Sequence, residues 1–310
     1  MKEIQMFTWK KKGLILEPAG FDWMVTHAQN PFQEHVSGSL YKIHFAGRDK
    51  FNQARGGYAL IDFKEPQKIL EISQKPTLDL GELGTFDDSG AMPSSIVDYN
   101  GLKYMYYTGW TQARKVPFFF FIGLTISRDG GRTYKRHSQA PVLGRTSHDP
   151  FLTAAPWVIK EGSLWKMWYV SATGWELEDN VEKVKHYYHI KYAESKDGIN
   201  WVSEGVVCID FNVEEYAIAR PIVYKEEGLY KMWYCYRGGT DTYRAGYAES
   251  EDGKAWERKD NEVGIDVSPS GWDSEMICYP CVFKDNGTYY MLYNGNSYGS
   301  TGIGLAVLED

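Results

Sequence analysis

The sequence predicts an all-β fold, a five-bladed β-propeller that fills residues 1–310 as a single domain and uses its N-terminal strand to close the last blade. Three observations carry the prediction. A hydrophobic tetrad recurs at a nearly constant interval, each copy follows a proline-marked apolar run across a glycine turn, and the last copy stops one strand short. Composition agrees, since 11 Trp, 23 Tyr and 14 Phe beside 31 Gly suit strands and tight turns, and helical periodicity is absent.

The tetrads are Tyr104-Met105-Tyr106-Tyr107, Lys166-Met167-Trp168-Tyr169, Lys231-Met232-Trp233-Tyr234 and Tyr290-Met291-Leu292-Tyr293, with a weaker first copy in Tyr41-Lys42-Ile43-His44-Phe45. From Ile43 through Met105, Met167 and Met232 to Met291 the spacings are 62, 62, 65 and 59, so five units of one size account for the chain. Before each tetrad stands an apolar run opened by Pro31, Pro93, Pro156, Pro221 or Pro280 and ended by a turn, which makes a hairpin. A third strand follows, as in Leu124-Thr125-Ile126, Tyr192-Ala193-Glu194 and Tyr247-Ala248-Glu249. In three units it runs into Ser127-Arg128-Asp129-Gly130, Ser195-Lys196-Asp197-Gly198 or Ser250-Glu251-Asp252-Gly253 and then an aromatic residue, so a fourth strand is expected. These boxes read as turn stabilisers, their Ser and Asp side chains bonding their own backbone.

The ends sharpen the count. Four residues beyond Ala306, where the other units reach their turn aspartate, the chain finishes at Asp310. Phe7-Thr8-Trp9-Lys10, continuing through Gly13 to Leu16, supplies the missing strand and removes an exposed sheet edge.

Charge narrows the function classes. The balance of 34 basic and 41 acidic residues gives −7, and no basic block tracks a polyanion, so nucleic acid is not an expected partner. No run of 18 apolar residues and no secretory h-region is present, so no membrane insertion is expected and the location reads as cytoplasmic. Four cysteines do not make a disulfide scaffold, Cys278-Tyr279-Pro280-Cys281 lacks a second pair, and His186 with His189 lacks a carboxylate companion; no metal or cofactor is expected.

On its period, its strand-marking prolines and its Ser-x-Asp-Gly turns followed by Trp, the whole chain resembles the five-bladed propeller glycosidases, which include glycoside hydrolase families 32, 43, 62, 68, 117 and 130. The stretches Thr85-Phe86-Asp87-Asp88-Ser89-Gly90-Ala91-Met92-Pro93 and Gly271-Trp272-Asp273-Ser274-Glu275 further resemble uncharacterised bacterial members linked to surface polysaccharide synthesis. The resemblance implies a carbohydrate-active enzyme working in a central funnel. It also implies an Asp before the first-unit proline and a Glu before the third, where this chain has Asn30 and Ala155.

In a meander blade, the loop before the first strand and the loop after the second lie at the same end. Candidate substrate-binding residues at that end are His27, Asn30, Arg48, Trp110, Asp149, Trp175, Arg220, Arg237, Asp273, Tyr279 and Asn296. Glycoside hydrolysis needs two carboxyl groups of opposite protonation. Glu215 and Glu275, each just before an apolar strand, are the first choice as catalytic pair, and Asp87 with Asp88 the second. Arg48, Arg220 and Arg237, with His27, offer another chemistry: forked guanidinium groups match phosphate or carboxylate. That pattern suits a phosphorylase or transferase, or a non-catalytic module holding a glycan or sugar nucleotide; the bland alternative pairs each arginine with a neighbouring acid. Trp110 and Trp175 each end a Thr-Gly-Trp and can stack on sugar rings, and the segment from Trp175 to His189 is long enough to act as a lid.

Overall fold

The structure is a computed structural model that describes residues 7–177, 184–239 and 242–309. Among the described residues its strands join into sheets of eight, nine and four, within which five antiparallel groups follow one another along the chain. Strand β1 (Trp9–Leu16) comes first in the chain but pairs last. The first group is β2 (Thr26–Ser37), β3 (Leu40–Arg48), β4 (Ala54–Asp62) and β5 (Ile69–Ile72). The second is β6 (Gly90–Tyr99), β7 (Leu102–Gln112), β8 (Phe118–Ser127) and β9 (Lys135–Arg136). In the third, β10 (Thr153–Glu161), β11 (Leu164–Leu177) and β12 (Val184–Ser195) are followed by β13 (Trp201–Val202), and β14 (Val207–Ile209) also pairs with β12. The fourth is β15 (Glu215–Glu226), β16 (Leu229–Gly238), β17 (Arg244–Ser250) and β18 (Glu257–Arg258). The last group, β19 (Cys278–Asp285), β20 (Thr288–Asn294) and β21 (Ile303–Leu308), takes β1 as its fourth member in the register Trp9↔Leu308 and Lys11↔Ala306.

The leading strands touch one another in the cycle β2, β6, β10, β15, β19 and back to β2. Each tetrad lies on the second strand of its group, sandwiched between neighbouring groups, and its central residue is fully buried: Ile43, Met105, Met167, Met232 and Met291 are all 0% exposed. Burial on both sides explains why apolar and aromatic residues occupy successive positions there instead of alternating with polar ones. The Ser-x-Asp-Gly turns close as expected. Ser127 Oγ accepts from the Gly131 amide at 2.8 Å and Asp129 Oδ1 from the Thr133 amide at 2.9 Å, and Ser195 with Asp197 and Ser250 with Asp252 repeat the arrangement.

The prolines do not open their strands. Each lies inside the leading strand at a break in pairing register, between Gln29 and Phe32, Pro93 and Ser95, Ala154 and Trp157, Ala219 and Ile222, and Cys278 and Cys281. A proline has no amide to give the ladder, and a bulge is where a sheet tolerates that loss. In four groups the preceding residue is left-handed: Asn30 at φ 57°, Ala155 at 47°, Arg220 at 58° and Tyr279 at 53°. This costs backbone energy for a residue with a Cβ, and the packed ring around it holds the conformation in place.

Candidate functional site

The bulges do more than absorb prolines. The residue before each one, Asn30, Met92, Ala155, Arg220 and Tyr279, lines one cavity of about 600 Å³, so each of the five groups contributes one wall position. The cavity opens at the end where leading strands begin and second strands finish, as the meander geometry requires. Arg48 and Trp110 reach it from the ends of β3 and β7, and Arg237 from the end of β16. Phe118, Phe120, Tyr188, Tyr243 and Tyr298 complete much of the apolar wall. The strict alternation of β8 is the signal that marks two of these: Phe118 and Phe120 face the cavity, whereas Phe119 and Phe121 turn to the Arg145 guanidinium at 4.3 and 5.6 Å.

Three arginines share the cavity, and among the described residues no Asp or Glu lines it. Arg220 is 1% exposed, and its Nη1 and Nη2 donate to the carbonyls of Ser94, Asn30 and Pro31 at 3.1 to 3.4 Å. Burial without a counter-charge lowers its pKa to about 10. Arg48 donates from Nη1 to Asn52 Oδ1 at 2.9 Å and lies 5.6 Å from the Trp110 ring. Arg237 donates from Nη1 to the Tyr298 hydroxyl at 3.0 Å, between the rings of Tyr216 and Tyr243 at 5.1 and 4.9 Å. In all three the Nε donor is buried with no partner among the described residues, as are Trp110 Nε1, Gln29 Oε1 and His186 Nδ1 around the same space. Seven more such atoms lie outside the wall of this cavity, at His44, Tyr134, Trp175, His189, Trp201, Trp233 and Thr301, so what distinguishes the cavity is its three guanidinium groups without a counter-charge among the described residues.

The carboxylates expected to catalyse, Glu215, Glu275, Asp87 and Asp88, and those expected to bind substrate, Asp149 and Asp273, lie off this cavity. Asp87, Asp149 and Asp273 are buried inside their groups, where each accepts from the closing tyrosine of a tetrad and pairs with a cation: Tyr107 and Arg136, Tyr169 and Lys191, Tyr293 and Lys11. Asp260, with Tyr234 and Arg258, repeats the device. Glu215 is clamped by Arg258, its Oε2 and Oε1 at 2.7 and 2.9 Å from the two Nη atoms. Glu275 is exposed, with its backbone amide donating to Asn296 Oδ1 at 2.8 Å, so Asn296 fixes a loop and does not line the cavity. Asp88 accepts from Ser89 Oγ and the Gly84 amide within its own turn. Trp175 packs edge-on against Phe118 at 5.5 Å beside the cavity, and His27 also stands outside its wall. Of the lid segment, residues 178–183 lie outside the described residues.

Burial, followed by the charge of Arg48, lowers the pKa of His27 to about 4, and burial with Arg237 lowers that of His186 to about 4. Buried His44 and His189 are shifted the same way. Between pH 6.5 and 4 the rings of His27 and His186 are protonated in the unfolded chain and neutral in the folded one, so their contribution to stability is full above pH 6.5 and falls as pH drops through that window. Urea melts at pH 7.5 and 5 are expected to differ by about 1 to 3 kcal/mol, and His27→Gln with His186→Gln is expected to shrink the difference.

All four cysteines are buried free thiols, and burial pushes those of Cys278 and Cys281 upward. Among the described residues no group of three His, Cys, Asp or Glu is placed to hold a metal ion, and no helix is long and apolar enough to cross a membrane.

No protein-family model matches the sequence. The chain is 42% identical over 304 residues to the uncharacterized protein Rv1502 of Mycobacterium tuberculosis strain H37Rv, covering 97% of this chain and 99% of that one, and equally to the uncharacterized protein MT1551 of strain CDC 1551. Among solved structures, a complex of BT0996 with RGII has 17% identity and a TM-score of 0.76, covering 98% of this chain and 93% of the BT0996 chain. An alpha-L-arabinofuranosidase from Podospora anserina in complex with cellotriose has 11% identity and a TM-score of 0.68, covering 99% and 98%. The fold is therefore that of the propeller glycosidases.

Proposed function

We propose that this chain, which belongs to the family of the two Mycobacterium tuberculosis proteins, is a single five-bladed propeller domain that binds a carbohydrate bearing an acidic group, phosphate or carboxylate, in its central cavity. One observation carries the reading: Arg48, Arg220 and Arg237 line a cavity whose described walls hold no carboxylate. A guanidinium fork recognises phosphate or carboxylate through paired hydrogen bonds, and that pairing is strongest where water is excluded. The aromatic wall supplies faces for sugar rings, with Trp110 nearest Arg48. The glycosidase-like neighbours, two of them named with glycans, support the carbohydrate part.

A hydrolase reading needs two carboxyl groups facing one bond across roughly 5 to 10 Å. Glu215, Glu275, Asp87 and Asp88 do not line the cavity, and the bulge positions where the resemblance places acids carry the amide of Asn30 and the methyl of Ala155. Transfer or phosphorolysis is the catalytic form this cavity favours, because His186 and Tyr188 stand beside Arg237, at 3.5 and 3.4 Å, and can move a proton next to a bound anion.

Crystals soaked in glucose 1-phosphate, glucuronate or galacturonate test the reading. The acid group is expected within hydrogen-bond distance of at least one of the three guanidinium groups. Acids that leave the cavity empty, or bind with the charged group turned to solvent, overturn it.

A further inference from the structure

The cavity does not end at Arg237. Beyond it runs a groove of about 840 Å³ lined by Arg114, Lys115, Lys185 and Tyr216, and it shares His186, Arg237 and Tyr298 with the inner cavity. Among the described residues this groove also has no Asp or Glu in its wall. Lys185 Nζ stands 4.4 Å from the centre of the Tyr216 ring, whose neighbour on the inner side is Arg237. Arg237 therefore sits at a junction between two cationic compartments, each with aromatic surface beside its charges.

We propose that the natural ligand is an oligosaccharide carrying acidic groups on at least two sugar units, threaded from the inner cavity past Arg237 into the outer groove. The inference rests on the preceding reading that the inner cavity takes an acidic sugar, and extends it to ligand length and charge spacing. A sugar with a single acid satisfies one compartment and leaves the other set of like charges repelling itself. A chain with an acid in each compartment neutralises both, and the second contact is made at the high effective concentration set by the first. The apolar stretch of the groove, Val116, Pro117 and Val184, gives the sugar faces between acids a surface to lie on.

The test is calorimetric titration with two length series, α-1,4-linked oligogalacturonates and linear inorganic phosphates, each from a single unit to a tetramer. In at least one series, affinity is expected to rise about tenfold or more from monomer to trimer, with a steeper salt dependence for the longer ligand. In a variant carrying R114Q, K115Q and K185Q the ratio of trimer to monomer affinity is expected to collapse toward unity. Affinity flat with length in the wild type, or a gain that survives the triple substitution, overturns the inference while leaving the inner acid site standing. Absence of binding by every member of both series overturns the acid site and this extension together.

Discussion

Asp149→Ala is expected to lower folding stability by about 3 to 5 kcal/mol, among the largest losses a single substitution in this chain should produce. Its carboxylate is fully buried and accepts from Ser171 Oγ at 2.7 Å, Ser203 Oγ at 2.9 Å, Thr146 Oγ1 at 3.0 Å and the Tyr169 hydroxyl at 3.1 Å. Lys191 Nζ, itself nearly buried, lies 3.4 Å away. Burial alone would raise the pKa of Asp149, but the Ser171 bond and the Lys191 charge outweigh it and hold the group below the usual carboxylate range. This stabilisation is therefore present above the ordinary Asp pKa and is lost as pH falls through the lowered one. Removing the carboxylate takes the counter-charge from a nearly buried ammonium, which keeps only the His148 carbonyl, and a shared acceptor from four hydroxyl groups, of which Tyr169 and Ser203 keep each other; that combined penalty exceeds the value of any single bond. Urea melts of wild type and variant at pH 7 measure it. A loss below about 1 kcal/mol would mean that Asp149 is not a structural anchor, and would return it to the candidate ligand contacts.

The same device explains why the acids that strand direction brings to the cavity's end do not line it. The period of the tetrads places the strands, and strand direction alone brings Asn30, Arg48, Trp110, Arg220, Arg237 and Tyr279 to one end, where all six line the cavity. Asp87, Asp149 and Asp273 come from the same end, but each is held inside its own group, off the cavity, by a hydrogen bond from the tyrosine that closes the tetrad. The spacing is visible in the chain: Asp87 to Tyr107, Asp149 to Tyr169 and Asp273 to Tyr293 are each 20 residues. An acid at a fixed distance before the last residue of a repeated core tetrad belongs to the repeat, and repeat residues serve packing. Glu215 has no such marker. Its partner Arg258 is 43 residues away on an outer strand of its group, a distance that no local pattern encodes. The prolines are legible as strand markers but not as bulges, because a missing amide signals a break in the ladder without saying whether the strand starts there or bends there.

The second large effect concerns binding. Arg220 ties the backbone of the first two groups together through three carbonyls, so its loss would disturb folding as well as recognition. Arg48 and Arg237 carry no such burden, since their bonds run to the side chains of Asn52, Tyr298 and Tyr188. The double variant Arg48→Gln with Arg237→Gln is therefore expected to fold. It is expected to lose about 100-fold or more in affinity for an acidic sugar, about 3 kcal/mol, within the range for removing one side of a desolvated charge pair. Neutral sugars, held by the aromatic wall alone, should change little.

An acid-selective cavity is probed most closely by a matched titration of galacturonate and galactose into the wild type and this double variant at one ionic strength. The wild type is expected to prefer the acid by about 100-fold, and the variant to lose the preference. Equal affinity for the two sugars in the wild type, or a preference that survives loss of both arginines, would show that the arginines do not select the ligand.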